Sequence, residues 1–309
     1  MAKPKLILDC DPGHDDAVAI LFAAKHTELL GITTVSGNVP LDLTTRNALI
    51  TAQILNINVP VYIGAERPLV AEAVHAPDIH GETGLGGPEL PELARRAEEQ
   101  DAVSYLIETI RQVNDVWLVI TGPCTNAALA FRQAPDIVKR LKGISVMGGS
   151  STFGNRTPAA EFNILADPEA ADIVFNCGAP ILMSGLNLTH QFAVTEKDVA
   201  KIREIGGGAA VFVADMLGFF AKTYKERYFG TFEGPLHDPC AVMAITHPEL
   251  FTFEARNVAV ELRGEHTRGM TVVDTRGVKS DLPLNVQVGL SVKRAEGMKL
   301  LLDTIRMYS

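Results

Sequence analysis

Six apolar runs of strand length, residues 5–10, 30–36, 59–63, 116–121, 143–147 and 180–184, are interleaved with segments of helical pattern, residues 41–55, 102–113, 126–132 and 168–177. The runs are largely apolar without a strict alternation at every second residue, the pattern of strands covered on both faces. The alternation predicts an α/β fold: a mostly parallel central sheet with helices on both faces, Rossmann-like in topology. With 309 residues, 47% of them hydrophobic and 21% charged, the chain can build one such unit, and we expect a single domain spanning 1–309.

In sheets of this kind ligands bind outside the carboxyl ends of the strands. The polar and glycine-rich segments of this chain follow its strands. The first run ends in Asp9-Cys10-Asp11-Pro12-Gly13-His14-Asp15-Asp16, the second in Ser36-Gly37-Asn38, the fourth in Thr121-Gly122-Pro123, the fifth in Gly148-Gly149-Ser150 and the sixth in Gly185-Leu186-Asn187. Each can deliver a polar group to a common mouth.

The first segment carries four carboxylates in eight residues. Like charges so close raise one another's pKa values unless a positive charge neutralises them. A hard cation, Ca²⁺ or Mg²⁺, accepts several carboxylate oxygens at once. Asp15 and Asp16 open the apolar helical run 17–22, where capping and the helix dipole account for one or both, at up to about 1 kcal/mol each. Neither effect accounts for Asp9 and Asp11 on the preceding strand. Metal or catalytic work is the better reading of the cluster, with Asp11 and Asp16 facing one space. His14, alone in a turn, reads as exposed or as a local hydrogen-bonder and is left out of the site.

A net charge of −9 disfavours nucleic acid and anionic membranes as partners and suits small neutral substrates or bound cations. Cys10, Cys124, Cys177 and Cys240 form no CxxC pair, so neither a zinc site nor a disulfide framework is expected. The start, Met1-Ala2-Lys3-Pro4, runs straight into the first strand without the marks of a targeting leader, and the expected location is cytoplasmic. Two long insertions, residues 65–101 and the apolar helical stretch 209–229, have the length of lids. For Phe219, Phe220, Tyr224, Tyr228 and Phe229 core packing is the favoured reading for most of the five. Residues 251–292, with runs at 258–262 and 270–273, read as a small antiparallel addition before a closing helix at 294–307.

A second acidic motif, His237-Asp238-Pro239-Cys240, opens another helical run. Taken alone, Asp238 reads as a helix cap and His237 as incidental. Asn155, Glu161 and Asn163 follow the fifth strand. Amides and carboxylates there can hold sugar hydroxyls or make loop turns, and Asp167 before Pro168 reads as an N-cap.

Together these segments resemble the nucleoside hydrolase family, the inosine-uridine preferring ribonucleoside N-glycosidases. The likeness runs over nearly the whole chain: Asp9 to Ala17, Gly37-Asn38, His80-Gly81-Glu82-Thr83-Gly84, Thr121-Gly122-Pro123 with Thr125-Asn126, Met147-Gly148-Gly149, Glu161-Phe162-Asn163 and His237-Asp238-Pro239-Cys240. It implies a tightly bound Ca²⁺ held by Asp11, Asp16, Asp238 and the Thr121 carbonyl, with the ribose diol and one water completing the shell. In that picture Asp11 is the base that activates the water. Asp15, Asn38, Glu161 and Asn163 grip ribose hydroxyls, and Asn155 takes the 5′-hydroxyl. His237 protonates the leaving base and His80 neighbours the base pocket. Imidazole suits the acid role because its ordinary pKa lies near neutrality. The resemblance also implies a ribonucleoside substrate, uridine or cytidine and/or inosine, with bacterial pyrimidine-preferring members nearest in look, and a homo-oligomer, a tetramer ahead of a dimer.

Two rivals share parts of this pattern. A Mg²⁺-dependent phosphatase of the Asp-x-Asp type would start from Asp9 and Asp11, but no Gly-Asp-x-x-x-Asp follows. A Ca²⁺-dependent nucleoside-binding protein would keep the ligands and lack turnover.

Overall fold

The computed structural model describes residues 3–278 and 281–308. Met1 and Ala2, read above as leading into the first strand, lie outside them. The strands are β1 (Lys5–Cys10), β2 (Glu28–Thr34), β3 (Val61–Ile63), β4 (Val116–Ile120), β5 (Gly143–Met147), β6 (Ile181–Ser184), β7 (Ala193–Thr195), β8 (Glu233–Pro235), β9 (Phe251–Arg256), β10 (Val258–Val260), β11 (Thr271–Val273) and β12 (Val286–Val292). The helices are α1 (His14–His26), α2 (Leu41–Ile54), α3 (Pro77–His80), α4 (Ala102–Gln112), α5 (Thr125–Gln133), α6 (Phe162–Ala166), α7 (Pro168–Phe175), α8 (Leu186–Thr189), α9 (Glu196–Ile205), α10 (Gly207–Tyr224), α11 (His237–Thr246) and α12 (Arg294–Arg306).

Eight strands form the main sheet in the order β3-β2-β1-β4-β5-β6-β12-β9, parallel except for the edge strand β9, which runs antiparallel to β12. The expected α/β architecture is present. The tail carries the expected antiparallel addition, β10 with β11 and β9 with β12, and β12 in addition joins the main sheet parallel to β6, which the sequence reading did not place. Residues 286–292 carry no helix-then-turn signal of a crossover strand, and their place is set by packing.

Apolar burial on both faces explains the unbroken runs. On β1, Leu6, Leu8 and Cys10 join the core on the α1, α10 and α11 side, while Ile7 faces the core built with α4, α5 and α7. Successive strand residues point to opposite faces, so both faces must be apolar. The chain leaves β1 outward through β2 and β3, then returns to β4 on the other side of β1. That reversal opens a crevice at the carboxyl ends of β1 and β4. There Asp9 pairs in register with Ile120, and the Thr121 N–H donates to the Asp9 carbonyl at 2.8 Å.

No helix among the described residues is long and apolar enough to cross a membrane.

Candidate active site

The carboxylates at the end of β1 divide by orientation. Asp9 turns away from the mouth: its Oδ1 accepts from the Thr33 hydroxyl at 2.6 Å and from Asn126 Nδ2 at 2.8 Å. Asn126 also donates to the Thr34 carbonyl and accepts from the Ala65 N–H, tying the ends of β1 and β2 to the segment after β3. Asp9 is structural, and burial pushes its pKa up to about 7.

Asp15, Asp16 and Asp238 bring one carboxylate oxygen each to within 4.8 Å of one another, all buried. Asp16 opens α1 and accepts from the Gly13 N–H at 3.0 Å through Oδ2 and from the Thr121 hydroxyl at 2.8 Å through Oδ1. Asp238 comes from the start of α11, where Leu236, not Asp238, holds the cap position, so the capping reading of Asp238 does not hold. Asp11 sits just behind this group. Its Oδ2 accepts from the Asn38 N–H at 2.6 Å, and its Oδ1 is buried without a hydrogen-bond partner. Two glycines wrap it: a Cβ at Gly37 would collide with Asp11 Oδ2, and one at Gly122 would lie 2.6 Å from Oδ1.

Burial first, then neighbouring carboxylates, push Asp11 and Asp238 well above the ordinary carboxylate range and Asp15 to about 7. Asp16 is raised by burial against the hydrogen bonds it accepts. No ion pair among the described residues reaches any of the four. Buried carboxylates without a basic partner need either protons or a cation, and Asp11 Oδ1, buried with no hydrogen-bond partner, is an acceptor a cation would satisfy.

Above this floor lies a pocket lined by Asp15, Asn38, His80, Thr121, Asn155, Glu161, Asn163, His237 and Asp238, every predicted site residue except Asp11 and Asp16, which lie beneath it. The amides are oriented by what they already hold. Asn38 Nδ2 donates to the Asp11 carbonyl at 3.0 Å and to Asp16 at 3.3 Å, and Asn163 Nδ2 donates to the Thr121 carbonyl at 2.8 Å. Both are left with an amide oxygen to offer. Asn155 Oδ1 accepts from the Phe162 N–H at 3.0 Å, leaving its NH₂. Glu161 caps α6, accepting from the N–H groups of Gly149, Asn163 and Ile164, while burial drives its pKa up to about 7.

The histidines depart from the sequence reading. His14 is neither exposed nor bonded locally: it is fully buried, its Nδ1 3.0 Å from His80 Nδ1 and its Nε2 2.9 Å from the Gly86 carbonyl. That partner lies 72 residues on, beyond any local pattern. Burial lowers its pKa to about 4. His237 Nδ1 lies 2.7 Å from the Thr189 hydroxyl and its Nε2 3.1 Å from the Tyr224 hydroxyl. Its pKa does not lie near neutrality: burial, then His190, drive it well below 6.5, so the resting ring is neutral.

Core packing as the main role of the helix 209–229 aromatics is also corrected. Phe220 and Tyr224 are buried, but they and the half-exposed Tyr228 line the pocket. The side chain of Phe229 lies outside the described residues. Arg156 lines the mouth and meets Asp78, which also binds Arg227 at 2.8 Å. Asp78 thus joins the 65–101 insertion to the loop after β5 and to the end of the α10 segment. Sequence reading gave Arg156 and Thr189 no role because their partners, Asp78 and His237, come from helices 78 and 48 residues away in sequence.

A family model described as inosine-uridine preferring nucleoside hydrolase matches residues 6–299. The pyrimidine-specific ribonucleoside hydrolase RihA of Shewanella woodyi is 44% identical over 313 residues, covering 100% of both chains. RihB of Escherichia coli, also a pyrimidine-specific ribonucleoside hydrolase, is 43% identical over 311 residues, 100% of this chain and 99% of that one. Among solved structures, the purine-preferring ribonucleoside hydrolase from Gardnerella vaginalis superposes with a TM-score of 0.92 at 35% identity, covering 98% of each chain. Full-length similarity at this level, over a fold whose acidic crevice lies where the sequence motifs converge, means that this chain is a nucleoside hydrolase and belongs to the inosine-uridine preferring nucleoside hydrolase family.

Proposed function

We propose that the chain, acting as one unit, hydrolyses the N-glycosidic bond of ribonucleosides to ribose and free base, with Ca²⁺ as its cofactor and uridine and cytidine as preferred substrates. The observation that carries this reading is the set of buried, uncompensated carboxylates beneath a pocket walled by amides, a carboxylate and two histidines. Asp11, through its unpartnered Oδ1, would hold the ion with Asp16, Asp238 and the Thr121 carbonyl; Asp15 belongs to the same cluster and faces the pocket. A bound Ca²⁺ supplies charge neutralisation, a site for the ribose diol and a lowered pKa for attacking water.

The chain's own groups do the rest. Asp11 takes the proton of the attacking water. Asn38 and Asn163 accept from ribose hydroxyls through their amide oxygens, Asp15 and Glu161 complete the grip, and Asn155 donates to the 5′-hydroxyl. Many fixed contacts on the sugar direct binding energy to the bond that breaks. His237 acts with Tyr224, whose hydroxyl lies 3.1 Å from its Nε2 at the pocket wall: the pair takes up a proton from solvent when the substrate is bound and passes it to the departing base, returning to its neutral resting state.

Pyrimidine preference is supported by the names of the curated relatives, the purine preference printed for the Gardnerella vaginalis structure being the contrary outcome. On the family resemblance the working form is a cytoplasmic homo-oligomer, a tetramer ahead of a dimer.

The test is reducing-sugar release from uridine, cytidine, inosine and adenosine by untreated and chelator-stripped enzyme. Calcium-restorable release, greatest with the pyrimidines, is expected. Tight binding without release would identify a binding protein, and phosphate release from nucleotides a phosphatase.

A further inference from the structure

We propose that the chain carries a second binding site, apart from the catalytic pocket, that takes an organic phosphate of nucleotide size. The site is a cleft of about 1000 Å³ between the first turn of α2, the end of β3 and the 65–101 insertion. The proposal goes beyond the hydrolytic reading and does not depend on it.

Arg46, Arg67, Arg95 and Arg96 line the cleft beside Asp42 and Glu66, four guanidiniums against two carboxylates in a chain whose net charge is −9. No ion pair among the described residues joins the two sets. Arg95 is engaged by the fold, donating to the carbonyls of Ile57 and Val59. The guanidiniums of Arg46, Arg67 and Arg96 make no hydrogen bond to any described residue. Cations gathered around one cleft repel each other and concentrate anions there, and the planar fork of arginine matches two phosphate oxygens at once.

Two further donor groups open on the cleft. Helix α2, 14 residues long, begins there: Pro40 holds the cap position, has no side chain that can accept, and lines the cleft with Leu41 and Asp42. The first N–H groups of an uncapped helix are open donors at the positive end of its dipole. Ser36 is independent of that helix. It lines the cleft, is only 9% exposed, and its hydroxyl has no hydrogen-bond partner among the described residues. A buried hydroxyl without a partner is costly, and an oxygen of a bound phosphate would satisfy it.

Size and polarity narrow the ligand. The cleft far exceeds a free phosphate, and Leu41, Leu49, Ile63 and Leu93 give it an apolar wall on which Ile63 and Leu93 stay 44% and 39% exposed. A phosphate on the arginines with an organic body against the apolar wall covers both, whereas an inorganic anion leaves that wall in water. Ser36 runs directly into Gly37 and Asn38, which cradle Asp11, and His75 Nδ1 lies 2.8 Å from the Gly37 carbonyl. Cleft and catalytic pocket therefore share residues 36–38, and only the cleft's other segments tell the two apart.

The test is isothermal titration of the calcium-loaded enzyme with uridine 5′-monophosphate and, separately, with inorganic phosphate, followed by hydrogen–deuterium exchange of each complex. The nucleotide should bind and slow exchange in residues 63–75 and 93–97. Its affinity should fall at least about tenfold when Arg46→Ser and Arg96→Ser are combined, and inorganic phosphate should bind at least about tenfold more weakly than the nucleotide. Neither arginine lines the catalytic pocket, so the paired variant should hydrolyse uridine at the wild-type rate. Protection confined to residues 155–163 and 237–238 would put the nucleotide in the catalytic pocket and overturn the proposal. Absence of binding, or equal affinity for inorganic phosphate and nucleotide, would overturn it as well. The exchange map needs only the wild type if the paired variant fails to fold, and it decides the site even if no nucleoside is turned over.

Discussion

Replacing Glu161 by Gln separates hydrogen bonding from charge at one wall of the pocket. The Glu161 carboxylate accepts three backbone N–H groups, one on Oε1 and two on Oε2. A glutamine oxygen can keep the pair from Gly149 and Ile164, but its NH₂ then faces the Asn163 N–H, at a cost of about 1–3 kcal/mol. Charge works the other way. Burial raises the Glu161 pKa from its ordinary 4.5 to about 7, so the folded state holds this proton more tightly than the unfolded chain. The contribution of such a group is fully present below about pH 4.5 and is lost as pH climbs through 7. Between pH 5 and pH 8 the wild type should therefore lose about 2–3 kcal/mol from this group, and the non-titrating variant nothing. Urea unfolding at fixed calcium and protein concentration, followed by the fluorescence of Trp117, the sole tryptophan, measures both. The variant should be the less stable at pH 5, and the gap should close as pH rises. A gap constant across the range would refute the assignment of a buried, uncompensated carboxylate.

Three further outcomes follow from other contacts. Asp11→Ala should lower kcat by at least about a hundredfold, the range for removing a general base, with far-ultraviolet circular dichroism unchanged; retention of a tenth of wild-type turnover would end the base role. Asp78→Asn removes the carboxylate that links Arg156 and Arg227 across the mouth; both pairs are partly exposed and weak, so KM should rise about twofold to fivefold, and high salt should raise wild-type KM similarly. A salt-independent wild-type KM would show that this link does not hold the mouth closed. Asn126→Ala deletes bonds to Asp9, Thr34 and Ala65 in a fully buried position and should cost about 3–5 kcal/mol in urea unfolding, whereas a loss below about 1 kcal/mol would mean those segments are held by other contacts.

Much of the architecture was legible because its signals are local. Both-face burial leaves continuous apolar runs, and Gly13, Asp101 and Asp167 stand at helix starts where a short loop turns into a helix. The floor and walls of the pocket were legible for a related reason: in a parallel sheet the segments after the strands must converge at one edge. Strand β12 was not legible, because a strand joining the sheet late carries no mark of its neighbour. The tail's alternating runs at 258–262 and 270–273 pointed to an antiparallel pair, which formed as β10 and β11 beside the main sheet.

The amino-acid sequence by itself determined the α/β class, the crevice at the carboxyl edge and the residue types that meet there, since these follow from periodicity and motif order. Only the tertiary structure decided which carboxylates share the cluster, that Asp9 is turned away, that His14 buttresses His80, and that Tyr224 pairs with His237. Each of those depends on side chains brought together from segments tens to hundreds of residues apart. Periodicity assigns a residue to a face, whereas hydrogen-bond partners and pKa shifts arise from the atoms that face it across the fold.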